Sequence, residues 1–139
     1  MKSLLVKLGA ILIGLAIFSY AEVWGADWKL YGGTDKYLAF YDAQSISRPS
    51  KNIVTVWEKF SYTEKGVLNL VGKIGKKFEN LSFSIHLSEI NCAEKRHHLL
   101  TSTDYDNKGS VIHSDHSPSD WQFIVPESIG ELLYKEVCK

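Results

Sequence analysis

Two cysteines behind an export-type leader constrain this chain more than any other feature. Residues 1–26 open with Lys2 and Lys7, pass through an apolar run at about residues 11–18 and end among small residues. That order is the layout of a secretory signal peptide, with cleavage expected between positions 21 and 26. Ser19-Tyr20-Ala21 and Trp24-Gly25-Ala26 are the two candidate exits. The alternative is an uncleaved anchor, but the apolar run falls short of the roughly 20 residues that span a bilayer. No cysteine sits near the exit to carry a lipid, so the exported protein is expected to be unlipidated. The two cysteines are Cys92, at the end of a strand-like stretch, and Cys138, at the end of a helix-like one. Export makes a disulfide between them chemically reasonable. Such a bond ties a C-terminal helix to a sheet, and closing a loop of about 47 residues stabilises a fold by roughly 4 kcal/mol. The pair is not a Cys-x-x-Cys motif, which argues against a catalytic thiol.

Residues 27–139 suit one domain with a single core. A hydrophobic content of 45% and an aromatic content of 12% argue against disorder. The formal net charge is zero, so no global positive field attracts nucleic acid or an anionic bilayer. Nucleic acid is therefore not an expected partner, and membrane association is expected to be peripheral at most.

The patterning is that of an α+β domain. A short strand at 27–31 is closed by Gly32-Gly33, and a second strand at 36–42 is rich in Tyr and Phe. Residues 45–52, with Pro49, read as a polar loop. Ile53–Tyr62 is crowded with β-branched and aromatic residues. It turns Val54, Val56, Phe60 and Tyr62 one way and Ile53, Thr55 and Trp57 the other. Val67, Leu70, Val71, Ile74 and Phe78 then recur at helical spacing, interrupted by Gly66, Gly72 and Gly75, so one short, broken helix is expected. Residues 81–90 alternate: Leu81, Phe83, Ile85 and Leu87 are expected on the core side, and Ser82, Ser84, His86 and Ser88 on a wet side. Two strands, 96–105 and 110–116, flank the turn Asp106-Asn107-Lys108-Gly109. An edge strand at 121–125 follows. Pro126 opens a final helix with the stripe Ile129, Leu132, Leu133 and Val137.

Few residues carry recognisable chemistry. His97 and His98 lie on one arm of the hairpin, His113 and His116 on or just past the other. Imidazoles from facing strands are candidate ligands for a metal or haem iron, and His97 or His98 is expected near His116 across the ladder. Solvated strand histidines are the alternative reading, since His113 and His116 point to opposite faces of a strand. Residues 104–109 partly resemble a calcium loop, but Lys108 stands where an oxygen ligand belongs. Gly66 to Lys73 misses the phosphate-loop spacing. No catalytic residue is nominated and no cofactor is required.

Several segments together resemble the surface-adhesin protein E family of Gram-negative bacteria. They are Asp27-Trp28-Lys29-Leu30-Tyr31, Phe40-Tyr41-Asp42-Ala43-Gln44-Ser45-Ile46, Ile53-Val54-Thr55-Val56-Trp57 and Phe78-Glu79-Asn80-Leu81-Ser82-Phe83-Ser84, followed by Glu89-Ile90-Asn91-Cys92, Thr103-Asp104-Tyr105-Asp106 and Pro126-Glu127-Ser128-Ile129-Gly130-Glu131. The resemblance implies an antiparallel sheet of about six strands. It also implies a C-terminal helix held on the concave face by a disulfide, in agreement with the reading of Cys92 and Cys138. It further implies a non-enzymatic role, since the family is associated with binding host matrix and serum proteins and haem. One departure is the missing lipid-bearing cysteine. No ligand-contacting residue of the family can be matched here.

The leading expectation is an exported binding protein, periplasmic or at the cell surface, with extracellular or envelope proteins as partners; a homodimer is a candidate assembly. The alternative is a periplasmic or surface binder of a small ligand such as haem, resting on His97, His98, His113 and His116. A small secreted enzyme ranks third. A flat sheet face with an aromatic patch favours the first reading, and a closed pocket with converging histidines favours the second. N-terminal sequencing of exported protein checks the leader. A start immediately after one of positions 21–26 is expected, and a chain beginning at Met1 would establish an anchor.

Overall fold

The structure is a computed structural model and describes residues 26–139. The expected signal peptide therefore lies outside the described residues but for its last position.

Among the described residues eight strands make one antiparallel sheet: β1 (Trp28–Gly33), β2 (Tyr37–Asp42), β3 (Ser47–Ser50), β4 (Ile53–Tyr62), β5 (Leu81–Asn91), β6 (Arg96–Asp106), β7 (Val111–Asp115) and β8 (Gln122–Phe123). Six of them lie side by side in the order β1-β2-β4-β5-β6-β7, while the short β3 pairs with β4 and β8 with β6. Helix α1 (Glu64–Ile74) joins β4 to β5, and α2 (Ile129–Val137) is the last element. The expected α+β architecture, with a middle helix and a C-terminal one, is the architecture observed.

Local sequence accounts for the boundaries. Thr63 caps α1 by accepting the Gly66 N–H at 3.1 Å. Gly75, at a φ of 122°, ends it in backbone that a side chain disfavours, and a single 3-10 turn at Lys76–Phe78 follows. Gly66 has a packing reason too: a Cβ there would sit 2.1 Å from the Lys36 carbonyl oxygen, so only glycine lets α1 approach the β1–β2 turn. The hairpin turn is as expected. Gly109 has a φ of 82°, and the Asp106 carboxylate accepts the N–H groups of Lys108 and Ser110 at 2.8 and 2.9 Å. That carboxylate is therefore used by its own turn, in the manner of an Asx turn.

Three local expectations need correction. The stretch 45–52 is not simply a loop, because Ser47–Ser50 pairs with β4. Pro49 is tolerated there because an edge strand has N–H groups to spare. The last helix does not start at Pro126 but at Ile129, where Ser128 accepts the Glu131 N–H at 3.2 Å and Glu131 in turn accepts the Glu127 N–H at 3.0 Å. This is close to a capping box, and the cap outweighs the Pro preference for a first turn.

The third correction concerns β5, whose faces are the reverse of those expected. β5 pairs with β4 through Val54↔Ile90, Val56↔Ser88 and Glu58↔His86. Ser84, Ser88 and Ile90 are buried on the helix side, whereas Phe83, Ile85 and Leu87 share the other face with Trp57 and Lys59. Leu81, beyond a bulge, is buried. The close approach of α2 is to β1, where a Cβ on Gly32 would sit 2.8 Å from Leu132 Cδ1; the serines of β5 instead hydrogen-bond Glu58, Tyr62 and Asp104. The longer apolar side chains of β5 join those already turned away from α2.

The core lies between α2 and one end of the sheet. Val54, Val56 and Ile90 pack against Leu133, Val137 and Ile124. Leu132 of the expected stripe lies outside this cluster, over β1 at Gly32. Cys92 and Cys138 form the expected disulfide, with Cα atoms 5.7 Å apart. Three hydrogen bonds reinforce it: Tyr134 Oη donates to the Cys92 carbonyl at 3.2 Å, Arg48 Nη2 to the Val137 carbonyl at 3.0 Å, and Tyr41 Oη to Glu136 Oε1 at 3.2 Å. Leu133 is 3% exposed, whereas Leu68 of α1 is 66% exposed. Denaturant melts should register a loss of about 2–5 kcal/mol for Leu133→Ala and a change within about 0.5 kcal/mol for Leu68→Ala.

Candidate functional site

Strand alternation gives the sheet two unlike faces. On the open face, the register aligns Trp28 with Asp42 and Leu30 with Phe40 and Lys59, while Trp57 pairs with Leu87, Lys59 with Ile85 and Phe83 with Tyr105. Neither helix contributes to the lining of this face. Phe83 and Tyr105 stack at 4.8 Å between centroids, and Lys59 Nζ lies 4.8 Å from the Phe83 ring centroid and 5.8 Å from that of Trp28. Leu30, Leu38 and Trp57 are 60%, 45% and 38% exposed. A shallow depression of about 430 Å³ lies among Trp28, Trp57, Ile85, Thr103, Tyr105 and His116. Isolated exposed apolar residues are ordinary, but a contiguous apolar and aromatic field marks an interaction surface.

The helix side continues the core into polar ground. Beyond Val54 and Val56, β4 presents Glu58, Phe60 and Tyr62. Glu58 is 6% exposed, and its carboxyl accepts hydrogen bonds from Tyr31 Oη and Ser88 Oγ. A second chain runs beside it, from Tyr62 Oη through Ser84 Oγ to Asp104 Oδ1. A cavity of about 330 Å³ opens between this floor and the first turn of α2. Burial raises the Glu58 carboxyl above the ordinary carboxylate range, although the hydrogen bonds from Ser88 and Tyr31 oppose the shift. Burial, and secondarily the Glu58 charge, raises the Tyr31 phenol. Burial lowers His86, partly offset by Asp104. It also lowers His97, to which His98 adds.

The four singled-out histidines do not converge. His97 pairs with Ile90 and lies on the helix side, its Cε1 against Gly130. His98, the next residue, lies on the opposite face, where it stacks on Trp121 at 3.9 Å. Both its nitrogens face oxygen acceptors, Glu89 Oε1 at 2.8 Å and the Ser119 carbonyl at 3.0 Å, so neither is free to ligate iron. His113 pairs with Asp104 and meets Phe78 edge-on at 6.4 Å. His116 hydrogen-bonds Thr101 Oγ1 at 2.8 Å. The β6–β7 register thus sets His116 opposite Thr101, three residues beyond His98, because β7 enters the ladder against Tyr105. Among the described residues no three His, Cys, Asp or Glu side chains gather to hold a metal ion. The notable polar residues are others: Glu58, Tyr31, Tyr37 and His86. Alternation alone places Glu58 between Val56 and Phe60 on the core face, which is the signal that could have found it.

The family model described as surface-adhesin protein E matches residues 28–139. Comparison with curated proteins gave no match.

Glu58 makes stability depend on pH with a definite sign. The folded chain holds this proton more tightly than the unfolded chain. Stability is therefore lost as pH rises from about 4.5, where the unfolded carboxyl ionises, up to the folded value. Asp106 and Glu131, lowered chiefly by backbone hydrogen bonds, act in the opposite sense but are common to wild type and Glu58→Gln. Denaturant unfolding across pH should show wild type losing stability relative to Glu58→Gln as pH rises. Parallel profiles would remove Glu58 as the buried acid.

Proposed function

The chain belongs to the surface-adhesin protein E family, and from that premise we propose that it is an exported, non-enzymatic protein that binds extracellular or envelope proteins through the open face of its sheet. The observation that carries this reading is the apolar and aromatic field of that face, built on β1, β2, β4 and β5. Interface cores favour aromatic anchors on a rigid base with charge confined to few positions, and Lys59 is the charge set among these rings. The family supports a surface location. The leader at 1–26 supports export, and the absence of a cysteine near its exit supports an unlipidated product. No helix among the described residues is long and apolar enough to cross a membrane.

Surface plasmon resonance against immobilised matrix and serum proteins tests the reading. Binding by the oxidised protein is expected. Leu30→Glu, Leu38→Glu and Trp57→Ala should each weaken it about tenfold or more, equivalent to about 1.4 kcal/mol. Leu68→Ala, on α1, should leave it unchanged. Binding that tolerates all three open-face substitutions would place the interface elsewhere.

A further inference from the structure

The cavity beneath α2 is chemically unlike the open face and lies on the opposite side of the sheet. Its floor holds the Glu58 carboxyl, and among the described residues no Lys or Arg lines it. The two hydrogen bonds to Glu58 come from neutral hydroxyls, those of Tyr31 and Ser88. A carboxylate has about four lone-pair sites, so acceptor capacity remains on both oxygens. Aromatic rings cluster around it: Tyr37 meets Phe60 edge-on at 5.3 Å between centroids, and Phe60 lies 4.8 Å from His86. Burial disfavours the charged forms of His86 and His97, so the imidazoles supply little positive charge at neutral pH. The positive end of the α2 dipole is already met by Glu131, which accepts the Glu127 N–H and pairs with Lys95 at 2.9 Å.

A buried acid that has no cationic partner among the described residues, set among aromatic rings, is suited to a cation that carries apolar groups. The charge meets the carboxylate, and alkyl or methyl groups meet ring faces. A volume of about 330 Å³ is near the lower end for ligand sites and limits the occupant to a small molecule or one side chain. An anion would meet Glu58 with no compensating charge. We propose that this cavity binds an organic ammonium group, with its charge on Glu58 and its carbon substituents against Tyr31, Tyr37 and Phe60. This site is independent of the protein-binding surface proposed for the open face, so either can fail alone.

Choline, the lysine analogue Nα-acetyl-lysine N-methylamide and 3,3-dimethylbutan-1-ol, the neutral isostere of choline, serve as probes. Titrations of the oxidised protein would be followed by amide chemical shifts at Glu58, His86 and Ile129. Choline or the lysine analogue should shift these amides and bind about tenfold more tightly than the neutral alcohol, a ratio that should vanish in Glu58→Gln. A tighter lysine analogue identifies the source as a partner's side chain, and tighter choline a free amine. Choline does not titrate, so its affinity should fall as pH is lowered and Glu58 is protonated. Tyr31, Tyr37, His86, His97 and His98 are the other titratable groups of the lining, and α2 adds none. Protonation of His86 and His97 also repels a cation and acts in the same direction. The wild-type comparison needs no variant, so it stands even where Glu58→Gln fails to fold. Equal affinity for choline and its isostere, or no shift from either ammonium probe, would overturn the proposal.

Discussion

The packing of α2 on a sheet much longer than itself governs the rest of the molecule. Nine helical residues extend about 14 Å, whereas the ten residues of β4 extend about 33 Å. One short helix therefore cannot cover one face of the sheet. It buries Val54, Val56 and Ile90 at one end, and the disulfide, with the Arg48 and Tyr134 hydrogen bonds, fixes it there by its C-terminus. α1 lies at the far end, where Gly66, Asn69 and Leu70 adjoin Tyr37 and Tyr62. Between them the floor has no helical cover among the described residues.

That gap explains the residue types found in it. A half-covered floor cannot be wholly apolar without exposing a patch, nor wholly polar without losing the core. The observed compromise is side chains with an apolar body and a polar tip, Tyr31, Tyr37, Tyr62 and His86. The tips of Tyr31 and Tyr62 are joined to serines and acids in two short hydrogen-bonded chains. A buried polar group is tolerated when it is paired and costly when it is not, so the hydroxyls of Tyr31 and Ser88 are what make Glu58 tenable.

Much of this was legible in the residues. β4 was clear because its alternation is backed by β-branched and aromatic residues on both faces. The disulfide followed from export and two element ends, and the hairpin from Asp106 and Gly109. The faces of β5 are not legible in the sequence, for a physical reason. Alternation assigns Phe83, Ile85 and Leu87 to one face, but says nothing about which face receives a helix. That is settled by pairing: Ile90 aligns with Val54 and carries the serines with it into the core. The scatter of the histidines has the same origin, since it depends on the β6–β7 register and not on spacing along the chain.

The reversal of β5 also links the two faces. Had Phe83, Ile85 and Leu87 packed beneath α2, the helix would stand further from the sheet and the open face would keep only the apolar and aromatic residues of β1, β2, β4 and β6. Placing serines inward leaves room for the polar floor beside α2 and, at the same step, adds three apolar side chains to the outward field. It also sets Ser88 beside Glu58, where its hydroxyl satisfies the buried acid. The apolar open face and the acidic cavity are therefore two results of one register choice. A one-residue slip of β5 against β4 would exchange the two faces and abolish both.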